Sequence, residues 1–170
     1  MRLFPVENLE FGGHYGSVNR PGMGYKSSSA WSAFAYYVVP NKFKVKFDCA
    51  GYQLPVYSGF NPDKSTDYTE KDFHLVDKRG GSLLVGANIN KYFEPTVKYE
   101  FINQGNALEN TLGYEKLQLF TVGVNFYLFP QSPRMTKILA FYQHRGETGD
   151  PRGAFPNDWF GLTYQIVLYK

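Results

Sequence analysis

The chain has 170 residues, a net charge of +3, a single cysteine and 18% aromatic residues, with fifteen phenylalanines and fourteen tyrosines. This length is enough for one domain, which we expect to cover residues 1–170. The scattered basic residues exclude the electrostatic footprint of a nucleic-acid binder, the lone Cys49 excludes an intrachain disulfide or a multi-cysteine metal site, and the aromatic content favours strands.

Two kinds of membrane or export signal are missing from the sequence. No stretch approaches 18 apolar residues, as a transmembrane helix requires. Residues 1–5 lack the apolar region of a signal peptide. We therefore expect either a cytosolic protein or a mature or truncated chain.

Eight segments, each about ten residues long and bounded by turn residues, predict strands. They lie near 7–18, 29–39, 43–53, 82–91, 95–103, 116–129, 135–145 and 158–169. The alternation is strictest in the sixth, where one face carries Phe120, Val122, Val124, Phe126 and Leu128 and the other carries Thr121, Gly123, Asn125 and Tyr127. A period of two residues is the signature of a strand with two different faces.

The connections between these segments alternate in length. Short ones lie at 39–42, 92–94 and 130–133, and longer polar ones at 19–28, 54–81, 104–115 and 146–157. In an antiparallel meander, all the long connections would then lie at one end of the strands. This asymmetry is typical of a transmembrane β-barrel, although a soluble meander barrel with uneven loops would also produce it.

The composition of the polar face favours the membrane barrel. That face is rich in Gly, Asn, Thr, Ser and Gln. A water-exposed exterior normally carries many more charged residues. The apolar face carries aromatic residues near strand ends, as the girdles at membrane interfaces do: Phe43, Phe93, Phe120, Phe129 and Phe160. We predict that Val85, Val97, Val124 and Leu162 contact lipid.

The charged residues of the strands share the parity of the polar face. We predict that they line the lumen, together with one asparagine: Glu10, Lys44, Lys46, Asp48, Glu94, Lys98, Glu100 and Asn125. In an open pore they would tune ion selectivity. In a closed small barrel they would pair across the interior, since buried charges need partners.

The sequence predicts neither an enzyme nor a bound cofactor or metal. Cys49 and the three histidines have no metal-ligand spacing. Ser65, Asp67 and His74 are close only in sequence, and the acidic residues near 150–158 are typical of a solvated loop. The glycine-rich stretches 12–16 and 78–81 lack the spacing and the following helix of a phosphate loop.

The last third of the chain resembles a known family. "FTVGVNFYLFPQSPRMTKILAFYQ" (120–143) resembles the late strands of Gram-negative outer-membrane porins, notably the phosphate-selective porin-like family, and "NDWFGLTYQIVLYK" (157–170) resembles their closing strand. The resemblance implies a bacterial outer-membrane location, surrounding lipid, recognition of the last strand by the barrel assembly machinery, and a homo-oligomer (a trimer for a porin) or a larger envelope complex.

Two departures from the family limit what carries over. Lys170 stands where the family usually ends on a lipid-facing aromatic residue. The chain has six arginines, at 2, 20, 79, 134, 145 and 152, mostly in predicted loops or turns, so phosphate selectivity is not implied.

Taken together, the residues and the resemblance predict an all-β fold, an antiparallel meander transmembrane β-barrel of about eight strands. The chain would be a complete small barrel or the C-terminal half of a larger porin barrel. The predicted function is a porin-type channel for passive diffusion of small hydrophilic solutes or ions. A closed eight-stranded outer-membrane barrel with a structural, adhesive or anchoring role is the alternative, and a soluble ligand-binding barrel is a third possibility.

Overall fold

The structure, a computed structural model, describes residues 1–18, 28–57, 73–103, 116–129, 136–148 and 158–166. These residues form nine strands: β1 (Arg2–Val6), β2 (Leu9–Val18), β3 (Ser28–Val39), β4 (Phe43–Tyr57), β5 (Phe73–Ala87), β6 (Phe93–Asn103), β7 (Lys116–Tyr127), β8 (Thr136–Thr148) and β9 (Trp159–Ile166). All belong to one sheet in chain order, and each strand is antiparallel to the next. No helix in the described part of the chain has the length and apolar character needed to cross a membrane.

The register between neighbouring strands is continuous from β2 to β9. One row of paired residues runs Leu9, Tyr37, Val45, Val85, Val97, Val122, Tyr142 and Phe160. Because successive side chains in a strand point to opposite sides, this register keeps every second residue on the same face across eight strands. The sheet therefore has two faces of constant membership.

We name the two faces by their residues. The outer face contains the row above and every residue of the same parity, such as Phe11, Phe47, Leu83, Tyr99, Phe120 and Leu162. The inner face contains the residues between them, such as Glu10, Lys44, Asp48, Glu94, Lys98 and Asn125. The alternation predicted from Phe120 to Tyr127 is confirmed by these pairings, and residues 43–52 and 95–102 alternate in the same way. Leu128, predicted to continue the apolar face, follows the end of β7.

The all-β antiparallel meander is confirmed, but the strand count differs from the prediction. The structure has nine strands because Arg2–Val6 forms a short hairpin with β2 through a turn at Glu7 and Asn8. Asn8 has a φ of 66°, a conformation that Asn adopts more readily than most residues. Five residues that include Pro5 carry too little alternation to predict a strand.

The sheet is open rather than closed into a barrel. Among the described strands, β1 and β9 are the two edges, and neither has a hydrogen-bonded neighbour on its outer side. The complete small barrel, one of the two forms expected from the sequence, is therefore not formed in this structure.

The predicted loop at 54–81 is too long. β4 continues to Tyr57 and pairs there with Phe73, the first residue of β5. Gly80 and Gly81 lie inside β5, where the ring of Phe101 passes within 2.9 Å of the position that a Gly81 side chain would occupy. Gly81 thus leaves room for a ring within a strand, whereas the two glycines in the sequence suggested a loop. The predicted loops at 19–28, 104–115 and 146–157 lie largely outside the described residues.

The turn before β6 also differs from the predicted position at 92–94. It covers residues 88–92, because the side-chain oxygen of Asn90 accepts hydrogen bonds from the backbone N–H of Tyr92 (2.8 Å) and Phe93 (3.1 Å). Ile89, predicted to lie on the apolar face of a strand, is in this turn and 75% exposed. An asparagine that caps its own turn outweighed the apolar pattern here.

Four glycines are each covered by an aromatic ring from the directly opposite residue of the next strand. The pairs are Gly12 with Phe34, Gly51 with Trp31, Gly81 with Phe101, and Gly161 with Phe141. At each site a Cβ atom would lie closer to the ring than real Cβ atoms lie to their neighbours. The rings thus fill the space that the missing side chains leave, a known way to stabilise glycine in a strand.

We expect Gly51→Ala to destabilise the fold by about 1–3 kcal/mol, because the added methyl would lie 2.6 Å from Nε1 of Trp31 and force the indole to move. Gly16→Ala is the matched control, since its Cβ would meet only the His14 ring at 3.5 Å, an ordinary contact. Urea unfolding followed by tryptophan fluorescence measures both variants. Equal stability of the two variants would contradict the close Trp31–Gly51 contact.

Candidate functional site

The outer face is apolar and exposed. Most of its large apolar residues in the described strands keep roughly two fifths of their surface accessible or more, including Phe47 and Val97 at 43% each and Leu162 at 76%. Soluble proteins rarely expose a continuous apolar surface of this extent, so such a face is normally covered by another molecule or by lipid.

Charged residues are sorted between the two faces with little overlap. On the outer face of the described strands β2 to β9, the charged residues are Asp77, Arg79 and Lys116. All three lie toward the end of the sheet that bears the long connections, and Asp77 and Arg79 form an ion pair with each other. The middle of the outer face thus carries no formal charge.

The inner face carries the remaining strand charges. They are Glu10, Lys44, Lys46, Asp48, Lys78, Glu94, Lys98, Glu100, Lys137, Arg145 and Glu147. An ordinary soluble sheet has the reverse arrangement, with its apolar face covered and its charged face in water.

An apolar core is nearly absent from the described residues. No large side chain among them is fully buried, and the buried apolar residues are Leu117 and Tyr127, both on the inner face. Burial of apolar surface between packed layers of this chain therefore cannot be what holds the described strands together.

A cavity of about 1140 Å³ opens on the inner face, near the end with the tight turns. Its wall includes residues from both halves of the sheet, among them Glu10 of β2, Lys44 of β4, Glu94 of β6, Lys137 of β8 and Gln165 of β9. Residues seven strands apart in the sheet can share one cavity only if the sheet is strongly coiled. The inner face is therefore the concave one.

Glu94 is the centre of the hydrogen bonding in this cavity. Its residue surface is only 5% exposed. One carboxylate oxygen accepts hydrogen bonds from Lys44 Nζ (2.5 Å) and Asn125 Nδ2 (2.8 Å), and the other accepts one from the Tyr127 hydroxyl (3.1 Å). A buried carboxylate with three donors is satisfied, which is the condition for burying it at acceptable cost.

Lys137 approaches the same carboxylate from β8. It lines the cavity and lies close enough to interact electrostatically with Glu94, Lys44 and Lys46. Two lysines therefore lie near one buried carboxylate, and Lys46 lies near Lys137, so lysines outnumber carboxylates in this part of the cavity.

The other inner-face charges are also engaged in pairs. Glu10 forms an ion pair with Arg2, and Glu100 forms one with Lys98 at 2.8 Å. The Tyr36 hydroxyl donates to Asp48, and the ammonium group of Lys46 lies 5.2 Å from the centre of the Tyr36 ring. The inner face thus has alternating charges that satisfy each other locally.

All eight residues predicted from the sequence to line a lumen lie on the inner face. Glu10, Lys44, Lys46 and Glu94 line the cavity. Asn125 lies behind Glu94 as its hydrogen-bond donor, and Asp48, Lys98 and Glu100 lie farther along the strands, outside the cavity wall. The structure brings five of the eight together at the cavity and spreads the other three along the same face.

Sequence reasoning missed Tyr36, Tyr127 and Lys137 as residues of the cavity. Tyr36 and Lys137 lie in segments that are apolar on both faces, so parity alone did not assign them. Tyr127 was placed on the polar face of its strand, and its position near the Glu94 position of the neighbouring strand was the available signal.

A second polar cluster lies outside the cavity, where β8 meets the start of β9. Asp158 accepts a hydrogen bond from the Tyr142 hydroxyl (2.7 Å) and contacts Nδ1 of His144 (2.7 Å). The hydrogen bond from Tyr142, followed by the contact with His144, lowers the pKa of Asp158 below its usual value. This cluster ties the first residue before β9 to β8.

The described residues contain no group of three or more His, Cys, Asp or Glu side chains that could hold a metal ion. Ser65 and Asp67 lie outside the described residues, as does the side chain of His74, and so does the acidic stretch 150–157.

No protein-family model, curated protein or solved structure matches the chain. The resemblance to outer-membrane porins therefore stays a prediction from the sequence.

We expect Glu94→Ala to lower the free energy of unfolding by about 3–5 kcal/mol, since it removes one partner of a buried ion pair and leaves Lys44 uncompensated. Glu100→Ala, on the same strand and face, should cost at most about 1 kcal/mol because its pair with Lys98 is partly exposed. Urea unfolding curves compare the two variants. A cost for Glu94→Ala no larger than that for Glu100→Ala would show that the Glu94 network is not needed for stability.

Proposed function

We propose that this chain is a β-barrel protein of the bacterial outer membrane that forms a porin-type channel for passive diffusion of small hydrophilic solutes or ions. The observation that carries the proposal is the inverted polarity of the sheet, with an apolar outer face that has no charge in its middle and a concave, charged inner face. A transmembrane barrel has this arrangement, with lipid outside and water inside.

Lipid is the environment that the outer face fits. In water, a fully exposed large apolar side chain forgoes about 1.5–3 kcal/mol of burial free energy, and a partly exposed one forgoes part of it. Exposed large apolar side chains occur on the outer face of β2 to β7 and of β9. On β6 the outer face stays apolar from Phe93 to Phe101, and a tilted transmembrane strand needs about 9–11 residues. The length of the apolar stretch thus supports membrane insertion.

Water and small solutes are what the inner face fits. Its charged and polar side chains lie among apolar ones such as Leu117 and Phe141, and its cavity holds both lysines and carboxylates. The mixture favours a general passage with a weak ion preference. It gives no support to a phosphate-specific channel, which would need a denser set of cations facing the lumen.

A closed outer-membrane barrel with a structural, adhesive or anchoring role is the second candidate. The observation that favours it is the pairing of inner-face charges, with Lys44 bonded to Glu94 and Lys98 to Glu100. Charges that satisfy each other can fill a narrow barrel without a continuous water path.

Assembly and partners belong to the same proposal. Recognition of the segment 157–170 by the barrel assembly machinery, and association into a homo-oligomer or a larger envelope complex, are supported by the resemblance of the sequence alone. Of this segment, the structure describes residues 158–166.

A nitroxide spin label on Val97 should be accessible to oxygen dissolved in lipid and shielded from a water-soluble nickel chelate, because Val97 is on the outer face. The same label on Lys98, the next residue and on the inner face, is the matched control and should give the opposite result. Power-saturation measurements in lipid vesicles test both. Greater nickel access at Val97 than at Lys98 would overturn the membrane proposal.

In a planar bilayer the protein should produce stepwise ion conductance. Lys46→Glu should shift the reversal potential toward cation preference, since the substitution reverses a charge on the cavity wall without removing an ion-pair partner. Lys116→Glu makes the same charge change on the outer face and should leave the reversal potential unchanged. Folded protein that inserts but never conducts would overturn the channel and leave the closed barrel.

A further inference from the structure

We propose that in a membrane the part of β2 beyond Gly13 pairs with β9, and that this pairing closes strands β2 to β9 into an eight-stranded antiparallel barrel with a stagger of ten residues. The inference rests on the membrane location in the proposed function, because lipid supplies the reason for closure. Side chains nearly fill an eight-stranded barrel, so closure at this size favours the closed barrel over the channel. Open sheet edges do not occur in the hydrocarbon region, since each unpaired N–H or C=O there costs several kcal/mol.

Strand direction selects β2 rather than β1 as the partner of β9. Nine strands that alternate in direction leave β1 and β9 running the same way, so a β1–β9 pair would be parallel. Each of the pairs between neighbouring described strands is antiparallel. β2 runs opposite to β9 and can continue the same ladder.

The outer edge of β2 is available over the right length. β1 pairs with β2 from Leu9 to Gly13, where Gly13 exchanges backbone hydrogen bonds with Met1 at 3.0 and 2.7 Å. In the described part of the chain, no strand pairs with the outer side of β2 from Tyr15 to Val18. β9, eight residues long, has β8 as its neighbour on one side and an unpaired edge on the other.

The cavity gives the direction in which the sheet coils. The residue of β9 in the same row as Glu10 is Trp159, reached through the continuous register. The residue of β9 that shares the cavity with Glu10 is Gln165, farther along the strand toward its C-terminal end. The coil therefore returns to β2 with a displacement toward the end of β9.

Barrel geometry gives the size of that displacement. With a rise of about 3.3 Å per residue, strands about 4.8 Å apart and a tilt of about 35–45°, eight strands return with a stagger of about 8.1–11.6 residues. The stagger must be even, because an odd shift would move every side chain to the other face. Eight and ten are the even values inside this range, and twelve would need a tilt just above it, about 46°.

The position of β1 decides between them. A stagger of eight would place Ile166 opposite Phe11 and Tyr164 opposite Gly13, on an edge that Leu3 and Met1 already occupy. A stagger of ten places Tyr164 opposite Tyr15 and Leu162 opposite Ser17, on the free part of the edge. Only Gly13 would then be shared between β1 and β9.

At this register, the side chains that would lie opposite each other in β2 and β9 belong to the same face of the sheet. The outer face contains Tyr15, Ser17, Leu162 and Tyr164. The residues that alternate with these along the two strands would pair on the inner face, as His14 with Gln165 and Gly16 with Thr163. Closure at this register would thus continue both faces across the seam without placing a charge toward lipid.

Oxidative cysteine cross-linking of the full chain in lipid vesicles tests the register. In a Cys49→Ala background, Tyr15→Cys is combined in turn with Tyr164→Cys, Leu162→Cys and Phe160→Cys. Ala140→Cys with Leu162→Cys, which are direct partners in β8 and β9, is the positive control. Since a disulfide needs Cα atoms about 4.4–6.8 Å apart, we expect the pair with Tyr164→Cys to cross-link at least about fivefold more than the other two.

A second cysteine pair controls for misfolding caused by the substitutions at Tyr15 or Tyr164. Ser17→Cys with Leu162→Cys has the same stagger and should cross-link equally well, with folding checked by heat-modifiable gel mobility. Efficient cross-linking only in the positive control would overturn the proposed closure. Because the spin-label experiment on Val97 and Lys98 does not depend on closure, the proposed membrane location would stand or fall separately.

Discussion

The unbroken register between β2 and β9 is the constraint on which the rest of this structure depends. Eight strands pair without a shift in the row from Leu9 to Phe160, so each residue keeps its face across the sheet. A slip of one residue between β4 and β5 would bring Lys44 and Lys46 to the face that otherwise carries Phe47 and Val97. The separation of charge from apolar surface is therefore a property of the hydrogen-bond ladder as much as of the sequence.

The ladder also explains why this sheet can exist with so little apolar core. Backbone pairing and the local satisfaction of charges, as at Glu94 with Lys44, Asn125 and Tyr127, supply internal order. The described residues leave the outer face exposed. The free energy of burying that face would come from whatever covers it, such as lipid. A chain of this kind is stable in the environment that covers its outer face and is prone to aggregate in water.

Much of this arrangement could be predicted from the sequence, because alternation with a period of two is a local property. The faces of β4, β6 and β7 and the inner position of Glu94 and Lys98 followed from parity alone. The contacts of Glu94 did not, since they join β4, β6 and β7 and depend on how strongly the sheet coils. The missed β1 and the misplaced turn at 88–92 have local causes, namely a short strand with Pro5 and the Asn90 side chain that accepts hydrogen bonds from its own turn.

The rings that cover glycines have a consequence for how the strands find their partners. Each ring fits only where the opposite strand presents a glycine, so a hairpin displaced by two residues would place the ring against a side chain. Such pairs occur between β2 and β3, β3 and β4, β5 and β6, and β8 and β9. A displacement by two residues leaves the polarity of both faces intact, so the apolar pattern cannot detect it. The glycine–aromatic pairs can, and they would act as steric checks against the one class of assembly error that hydrophobicity does not penalise.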